Sequence, residues 1–87
     1  MKISQCRNLG PKTEEQFEAM GVHNFEQLEA MGWEEVITIY SSYYPDLMNL
    51  NLVYAVIGAI YDQDWRNIDP QLKKQARQFI AKVKKLP

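Results

Sequence analysis

The feature that most constrains the fold is a long apolar segment near the middle of a short chain. Residues 50–61, LNLVYAVIGAIY, carry no charge. A segment that is apolar nearly all round is typical of a helix buried on every side, and its length and alanines favour a helix over a buried strand. Because 87 residues form one small domain, the other elements are expected to pack around this helix.

Four further helices are predicted on either side of that segment: Pro11 to Met20, Asn24 to Gly32, Trp33 to Tyr43, and a last helix from Pro70. Proline suits the first helical position because its missing N–H costs nothing there. Glycine suits the position after the last turn, where the backbone becomes left-handed. With no convincing strand, the sequence predicts an all-α domain over residues 1–87, a compact bundle of about five short helices.

Small residues interrupt the predicted central helix at three-residue and four-residue spacing, at Ala55, Gly58 and Ala59. We expect them to let a neighbouring helix approach closely, although a glycine costs about 1 kcal/mol of helix propensity. The tryptophans and tyrosines of the chain are expected to pack in the core and at its rim, and an exposed aromatic patch is the alternative.

Charge is strongly segregated along the chain, although the net charge is only −1. Residues 1–12 carry +3, residues 13–64 carry −10 without any lysine or arginine, and residues 65–87 carry +6. We expect the basic end to fold back on the acidic middle and help hold the domain together, since small surfaces place most charges near an opposite one. The alternative is a charged interaction surface. The pI of 5.7 differs from that of a dedicated nucleic-acid binder, usually above ~9.

The chain has one cysteine, Cys6, and one histidine, His23. This inventory excludes an internal disulfide and a structural zinc site. A Cys–His enzyme also needs an orienting group and an oxyanion hole, and nothing in the sequence supplies them. We therefore expect no enzyme activity.

Neither a calcium loop nor a membrane span fits the sequence. Asp62 and Asp64 resemble the start of a calcium loop, but Arg66, Asn67 and Lys73 occupy positions that need an oxygen ligand, a glycine and a glutamate. The longest uncharged stretch, residues 47–61, has fifteen residues, whereas a membrane span needs roughly 20. We expect a cytoplasmic protein with no cofactor, no metal and no membrane contact.

Three motifs carry a resemblance to a known family: NLGPK at residues 8–12, GVH at 21–23 and NLxYAxxGA at 51–59. Together they resemble the C-terminal domain of the TfoX/Sxy family, bacterial regulators of competence for DNA uptake. The match extends from about Arg7 to about Phe79. Since full-length members carry an additional N-terminal domain, the chain resembles a stand-alone copy of the C-terminal one. The resemblance implies a helical bundle linked to transcription or competence, without enzyme activity or cofactor.

The segment 8–13 is similar to a helix-hairpin-helix turn, in which backbone N–H groups at a helix N-terminus meet a DNA phosphate. Asn8 stands where the first glycine of that motif is usual. The glutamates that follow Lys12 would repel a phosphate. Weak, sequence-independent DNA binding is therefore the alternative function, with these candidate contacts: Arg7, Gly10, Lys12, Lys73, Lys74 and Arg77.

The leading hypothesis is a non-catalytic regulatory module that acts through contacts with another protein. Its candidate surface is either the basic face of the last helix or an acidic surface that includes Glu14, Glu15, Glu18, Glu26 and Glu29. The sequence is compatible with a monomer or a homodimer.

Overall fold

The computed structural model describes residues 1–85 and the side chains of residues 1–83. In chain order its helices are α1 (Pro11–Ala19), α2 (Phe25–Met31), α3 (Trp33–Tyr43), α4 (Leu50–Tyr61) and α5 (Pro70–Lys85). Single 3₁₀ turns lie at Ile3–Gln5, Pro45–Leu47 and Trp65–Asn67. The described residues contain no strand, so the predicted all-α fold of five helices is confirmed. The sequence also predicts that Lys84 and Lys85 face water, opposite the apolar stripe of the last helix. Their side chains, and the last two residues of the domain, lie outside the described part.

Helix α4 occupies the centre, as its composition predicts, but it is not buried on every side, since Asn51 and Tyr61 are exposed. It packs against α3, α5 and the third 3₁₀ turn, and it buries Val53, Val56 and Ile57 completely. Full burial of such a side chain stabilises the fold by roughly 1.5–3 kcal/mol. The surrounding elements complete the core with side chains that include Ile3, Phe17, Leu28, Val36, Ile37 and Ala76.

The helix boundaries follow the predicted signals closely. Asn24 caps α2, since its side-chain oxygen accepts a hydrogen bond of 2.9 Å from the backbone N–H of Gln27. The Gln27 side chain in turn accepts a bond from the N–H of His23, at 2.7 Å. Gly21 follows α1 with φ 89°, in the left-handed region that glycine enters without a steric penalty. These local interactions explain why short helices end where the sequence predicts.

The turn before α1 does not confirm the comparison with a helix-hairpin-helix. A three-residue 3₁₀ turn, Ile3–Gln5, precedes it. Asn8 adopts φ 71°, and asparagine is one of the few residues that tolerate this conformation. Its side-chain amide donates to the carbonyl oxygens of Ala55 (3.4 Å) and Gln63 (2.8 Å) and accepts from the N–H of Trp65 (3.2 Å). Asn8 thus connects the N-terminal turn (residues 8–12) to α4 and to the chain that follows α4.

Gly58 makes that contact sterically possible. A Cβ atom at this position would clash with the side-chain nitrogen of Asn8 and the carbonyl oxygen of Gln63. Close approach at the small residues of α4 is therefore confirmed at Gly58, but the neighbour is the N-terminal turn and the chain beyond α4. The expectation that the neighbour would be a helix is wrong at this position.

Candidate interaction surfaces

Helix α5 presents a cationic face to solvent. Ala76, Ile80 and Val83 form its buried side, and the helical repeat therefore turns Lys74, Arg77 and Lys82 outward. No carboxylate lies within 4.0 Å of these three side chains among the described residues. We call Lys74, Arg77 and Lys82 the basic face.

The expectation that the basic end pairs with the acidic middle is wrong for the α5 cations whose side chains the structure describes. The ion pairs of the described residues join the N-terminal amine to Glu26, Arg7 to Asp62, His23 to Glu18, and Arg66 to Asp64. The physical reason is packing: α5 contacts α4 and α3 mainly through its apolar side, which leaves Lys74, Arg77 and Lys82 exposed to solvent. Their charge is available to another molecule.

Lys73, another predicted contact, differs from the basic face. Its side chain is half-buried, and its ammonium nitrogen lies 5.8 Å from the centre of the Tyr54 ring. That distance is within the range of a cation–π interaction. Lys73 therefore has a partner on α4 that Lys74 lacks.

A groove of about 380 Å³ lies between the first turn of α3 and α5. Trp33 and Phe79 line it and meet edge to face, with ring centres 5.3 Å apart. The other lining residues are polar or charged: Glu34, Gln75, Gln78 and Lys82. Since Lys82 belongs to both, the groove is continuous with the basic face. Sequence patterning missed this groove, because Trp33 and Phe79 are far apart in the chain.

Four of the five predicted acidic contacts are exposed on α1 and α2: Glu15, Glu18, Glu26 and Glu29. We call these four the acidic face. Glu18 lies 2.7 Å from Nδ1 of His23, which brings the end of α1 next to the start of α2. Glu26 binds the N-terminal amine, and this hydrogen bond lowers the pKa of its carboxyl group.

Glu14 is placed differently from the other predicted glutamates. Its carboxylate accepts a 2.9 Å hydrogen bond from the backbone N–H of Ser4. This bond lowers the pKa of the Glu14 carboxyl group, because it stabilises the charged form. The residue ties α1 to the first 3₁₀ turn, so the structure gives Glu14 an internal contact.

The remaining residues that are candidates for binding a DNA phosphate lie on the N-terminal turn and next to it. Arg7 pairs with Asp62 at 3.5 Å. Gly10 is the N-cap of α1 and provides no side-chain cap, and Lys12 is exposed in the first turn. The structure therefore divides the predicted DNA contacts into one group at the start of α1 and another on α5.

The two residues considered for nucleophilic catalysis each have another partner. Cys6 is buried, its thiol donates weakly to the carbonyl oxygen of Lys2 at 3.5 Å, and burial raises its pKa. His23 binds Glu18. The described residues contain no group of three or more potential metal ligands, and none of the described helices has the length and apolar character of a membrane span.

The aromatic side chains divide between core and surface. Trp33 and Tyr40 are buried, as predicted. Tyr43, Tyr61 and Trp65 are exposed by 55%, 51% and 38%, which the expectation of core and rim packing did not anticipate. Tyr43 and Tyr61 are the last residues of α3 and α4, and Trp65 begins the third 3₁₀ turn.

The fold and surfaces define a small all-helical domain with a charged, solvent-facing last helix. The chain belongs to the TfoX C-terminal domain family, whose model matches residues 1–80. This family is of a non-enzymatic, regulatory type. The fold is also similar to the crystal structure of an uncharacterized protein from Listeria monocytogenes, with a TM-score of 0.91 and 19% identity over 98% of this chain and 96% of that one. A search of curated proteins gave no significant match.

Proposed function

We propose that the chain is a non-catalytic regulatory module that binds an acidic surface of another protein through α5. Family membership supports a regulatory role linked to transcription or competence. The observation that carries the proposal is the basic face, whose three cations have no carboxylate partner within 4.0 Å among the described residues. Exposed charges of one sign attract a partner of opposite charge and speed its association.

The groove beside the basic face adds a place for an apolar anchor. Interfaces obtain most of their binding energy from a few side chains that fill such pockets, and charged groups at the rim mainly set specificity and rate. An acidic partner segment with one apolar side chain would use Trp33 and Phe79 for contact and Lys82 for charge. The glutamines that line the groove, Gln75 and Gln78, can donate and accept hydrogen bonds from the partner backbone.

The test compares the wild-type chain with Lys74→Glu/Arg77→Glu as immobilised baits for cell lysate. We expect at least one protein to bind the wild type and not the variant, and to bind the purified wild type saturably in calorimetry. Lys12→Glu is the control, since it reverses a charge outside α5. Recovery of the same proteins by all three baits, none with saturable binding, would overturn the proposal.

Duplex DNA is the second candidate partner, favoured by the start of α1. Gly10 caps that helix without a side chain, so first-turn N–H groups are available to a phosphate, with Lys12 nearby. This proposal predicts duplex binding that weakens steeply with salt and is reduced by Lys12→Glu. Absence of binding to a short duplex at low salt would end it.

A further inference from the structure

We infer that the chain associates with a second copy of itself, with the basic face of one copy on the acidic face of the other. This rests on the proposed function, since it uses the same α5 surface and names a partner for it. The unpartnered element is α5, whose outward cations Lys74, Arg77 and Lys82 have no carboxylate within 4.0 Å among the described residues.

Charge complementarity identifies the second copy as the occupant. The acidic face lies in a stretch, residues 13–64, that contains ten acids and no lysine or arginine. α5, in contrast, contains no acid. The same chain therefore carries both halves of an electrostatically matched pair.

The two faces lie on different elements within one copy. α5 packs against α4 and α3, whereas α2 packs against α3 and α1 against the first 3₁₀ turn. No ion pair joins the two faces among the described residues. Glu15 and Glu29 of the acidic face are exposed and have no ion-pair partner among these residues, so a second copy can meet them with its basic face.

The charge of the whole chain permits this association. At −1 overall, two copies repel each other little at long range, and a net charge near zero favours association. Exposed ion pairs are individually weak and screened by salt, so the contact is a weak, salt-sensitive one. Because each copy offers both surfaces, the association forms either a two-fold dimer, in which each basic face meets the partner's acidic face, or head-to-tail rings and chains.

The experiment is sedimentation equilibrium of the full chain over a range of protein concentrations. We expect the average mass of the wild type to rise with concentration at about 0.01 M salt and to fall back to the monomer at about 1 M, where the Debye length shrinks from about 30 Å to about 3 Å. Lys74→Glu/Arg77→Glu and Glu15→Lys/Glu29→Lys are each expected to weaken association by about tenfold, as two attractive pairs become repulsive.

The decisive measurement is sedimentation of the two double variants mixed in equal amounts. One variant then carries acids on both faces and the other carries cations on both, so they should bind each other and restore the mass. Asp46→Lys, which reverses an exposed charge outside both faces, is the control and should associate like the wild type. Circular dichroism of every variant establishes that it is folded.

Several outcomes would overturn the inference. A wild-type chain that is monomeric at every concentration in low salt contradicts it. A mixture of the two double variants whose average mass stays below that of the wild type contradicts it as well. A monomeric chain that gains mass only on addition of duplex DNA would assign α5 to nucleic acid instead. Capture of a lysate protein that requires Lys74 and Arg77 by a monomeric chain would overturn self-association alone and leave the proposed function standing. Self-association without such capture would overturn the proposed function alone and leave self-association standing.

Discussion

The N-terminal region (residues 7–12) and α5 both carry cations that the sequence marks as candidate contacts, yet the fold engages the first region more than the second. Lys12 is exposed, but the rest of this region is engaged internally: Asn8 bonds to Gln63 and Trp65, and Arg7 pairs with Asp62. The cations of the basic face, in contrast, point to solvent without a carboxylate partner among the described residues. The contacts of Asn8 and Arg7 contribute to stability, whereas the basic face is free to bind another molecule.

Replacing Asn8 by alanine should have the largest effect on stability. The change removes hydrogen bonds to Ala55 and Gln63 and from Trp65. It also forces alanine to adopt φ 71°. Unsatisfied groups cost about 1–3 kcal/mol and the left-handed conformation about 1–2 kcal/mol. We expect the free energy of unfolding in urea to fall by about 3 kcal/mol.

Asn8→Gly is the matched control, because glycine also loses the hydrogen bonds but adopts a positive φ without strain. It should be more stable than Asn8→Ala by about 1 kcal/mol. Equal stability of the two variants would contradict the role given to the backbone conformation, and wild-type stability of both would contradict the role of the turn.

Gly58→Ala should destabilise the same contact from the other side. The added methyl group would meet the Asn8 side chain and the Gln63 carbonyl oxygen. Because the Gln63 oxygen belongs to the backbone and cannot swing aside, the cost lies in the upper part of the overpacking range, about 2–3 kcal/mol, and the better helix propensity of alanine offsets about 1 kcal/mol. We expect a net loss of about 1–2 kcal/mol by urea unfolding. Gly10→Ala, where an added Cβ meets no atom within 4 Å, should lose less than about 1 kcal/mol; a loss as large as that of Gly58→Ala would refute the steric argument.

Local signals in the sequence are sufficient for the helices of this fold. Proline, glycine and asparagine act on their nearest neighbours, so Pro11, Gly21 and Asn24 predict helix ends that the structure confirms. The apolar run at residues 50–61 predicts the central helix α4 correctly, but not its burial on every side, since Asn51 and Tyr61 are exposed.

Contacts between distant residues could not be predicted in the same way. Asn8 and Gln63 are separated by fifty-five positions, and Trp33 meets Phe79 only after α3 and α5 pack together. The sequence showed that charge is segregated, but only the orientation of α5 decides whether its cations have partners. The sequence thus identifies candidate surface residues. Which of them have partners inside the domain, and which are free to bind another molecule, is known only from the fold.

Asp64, near the engaged turn, provides a smaller effect that depends on pH. Hydrogen bonds from the Arg66 side chain and then its backbone lower the pKa of the Asp64 carboxyl group from 3.8 to about 2. Since this pKa is depressed by folding, the carboxylate stabilises the fold above pH 3.8, and the contribution is lost as the pH falls towards about 2.

The stability advantage of the wild type over Asp64→Asn should therefore be constant above about pH 4 and shrink between about pH 4 and about pH 2. Urea unfolding of both proteins across this range measures the difference directly. Glu29→Gln, which alters an exposed glutamate with no ion-pair partner among the described residues, is the control and should show no such change. If the stability difference between wild type and Asp64→Asn is the same at about pH 4 and about pH 2, the hydrogen bonds of Asp64 do not lower its pKa.

Charge reversal on α5 should have the smallest effect on stability. Lys74 and Arg77 are exposed and pair with no described carboxylate, so Lys74→Glu/Arg77→Glu should change the free energy of unfolding of dilute protein by less than about 0.5 kcal/mol. Lys73→Gln, one position away, should cost about 0.5–1 kcal/mol because it removes the contact with Tyr54. A loss above about 1 kcal/mol from the double reversal would mean that the basic face is engaged inside the molecule, as the N-terminal turn is. The difference between the two regions would then disappear, and with it the reason for assigning α5 to a partner.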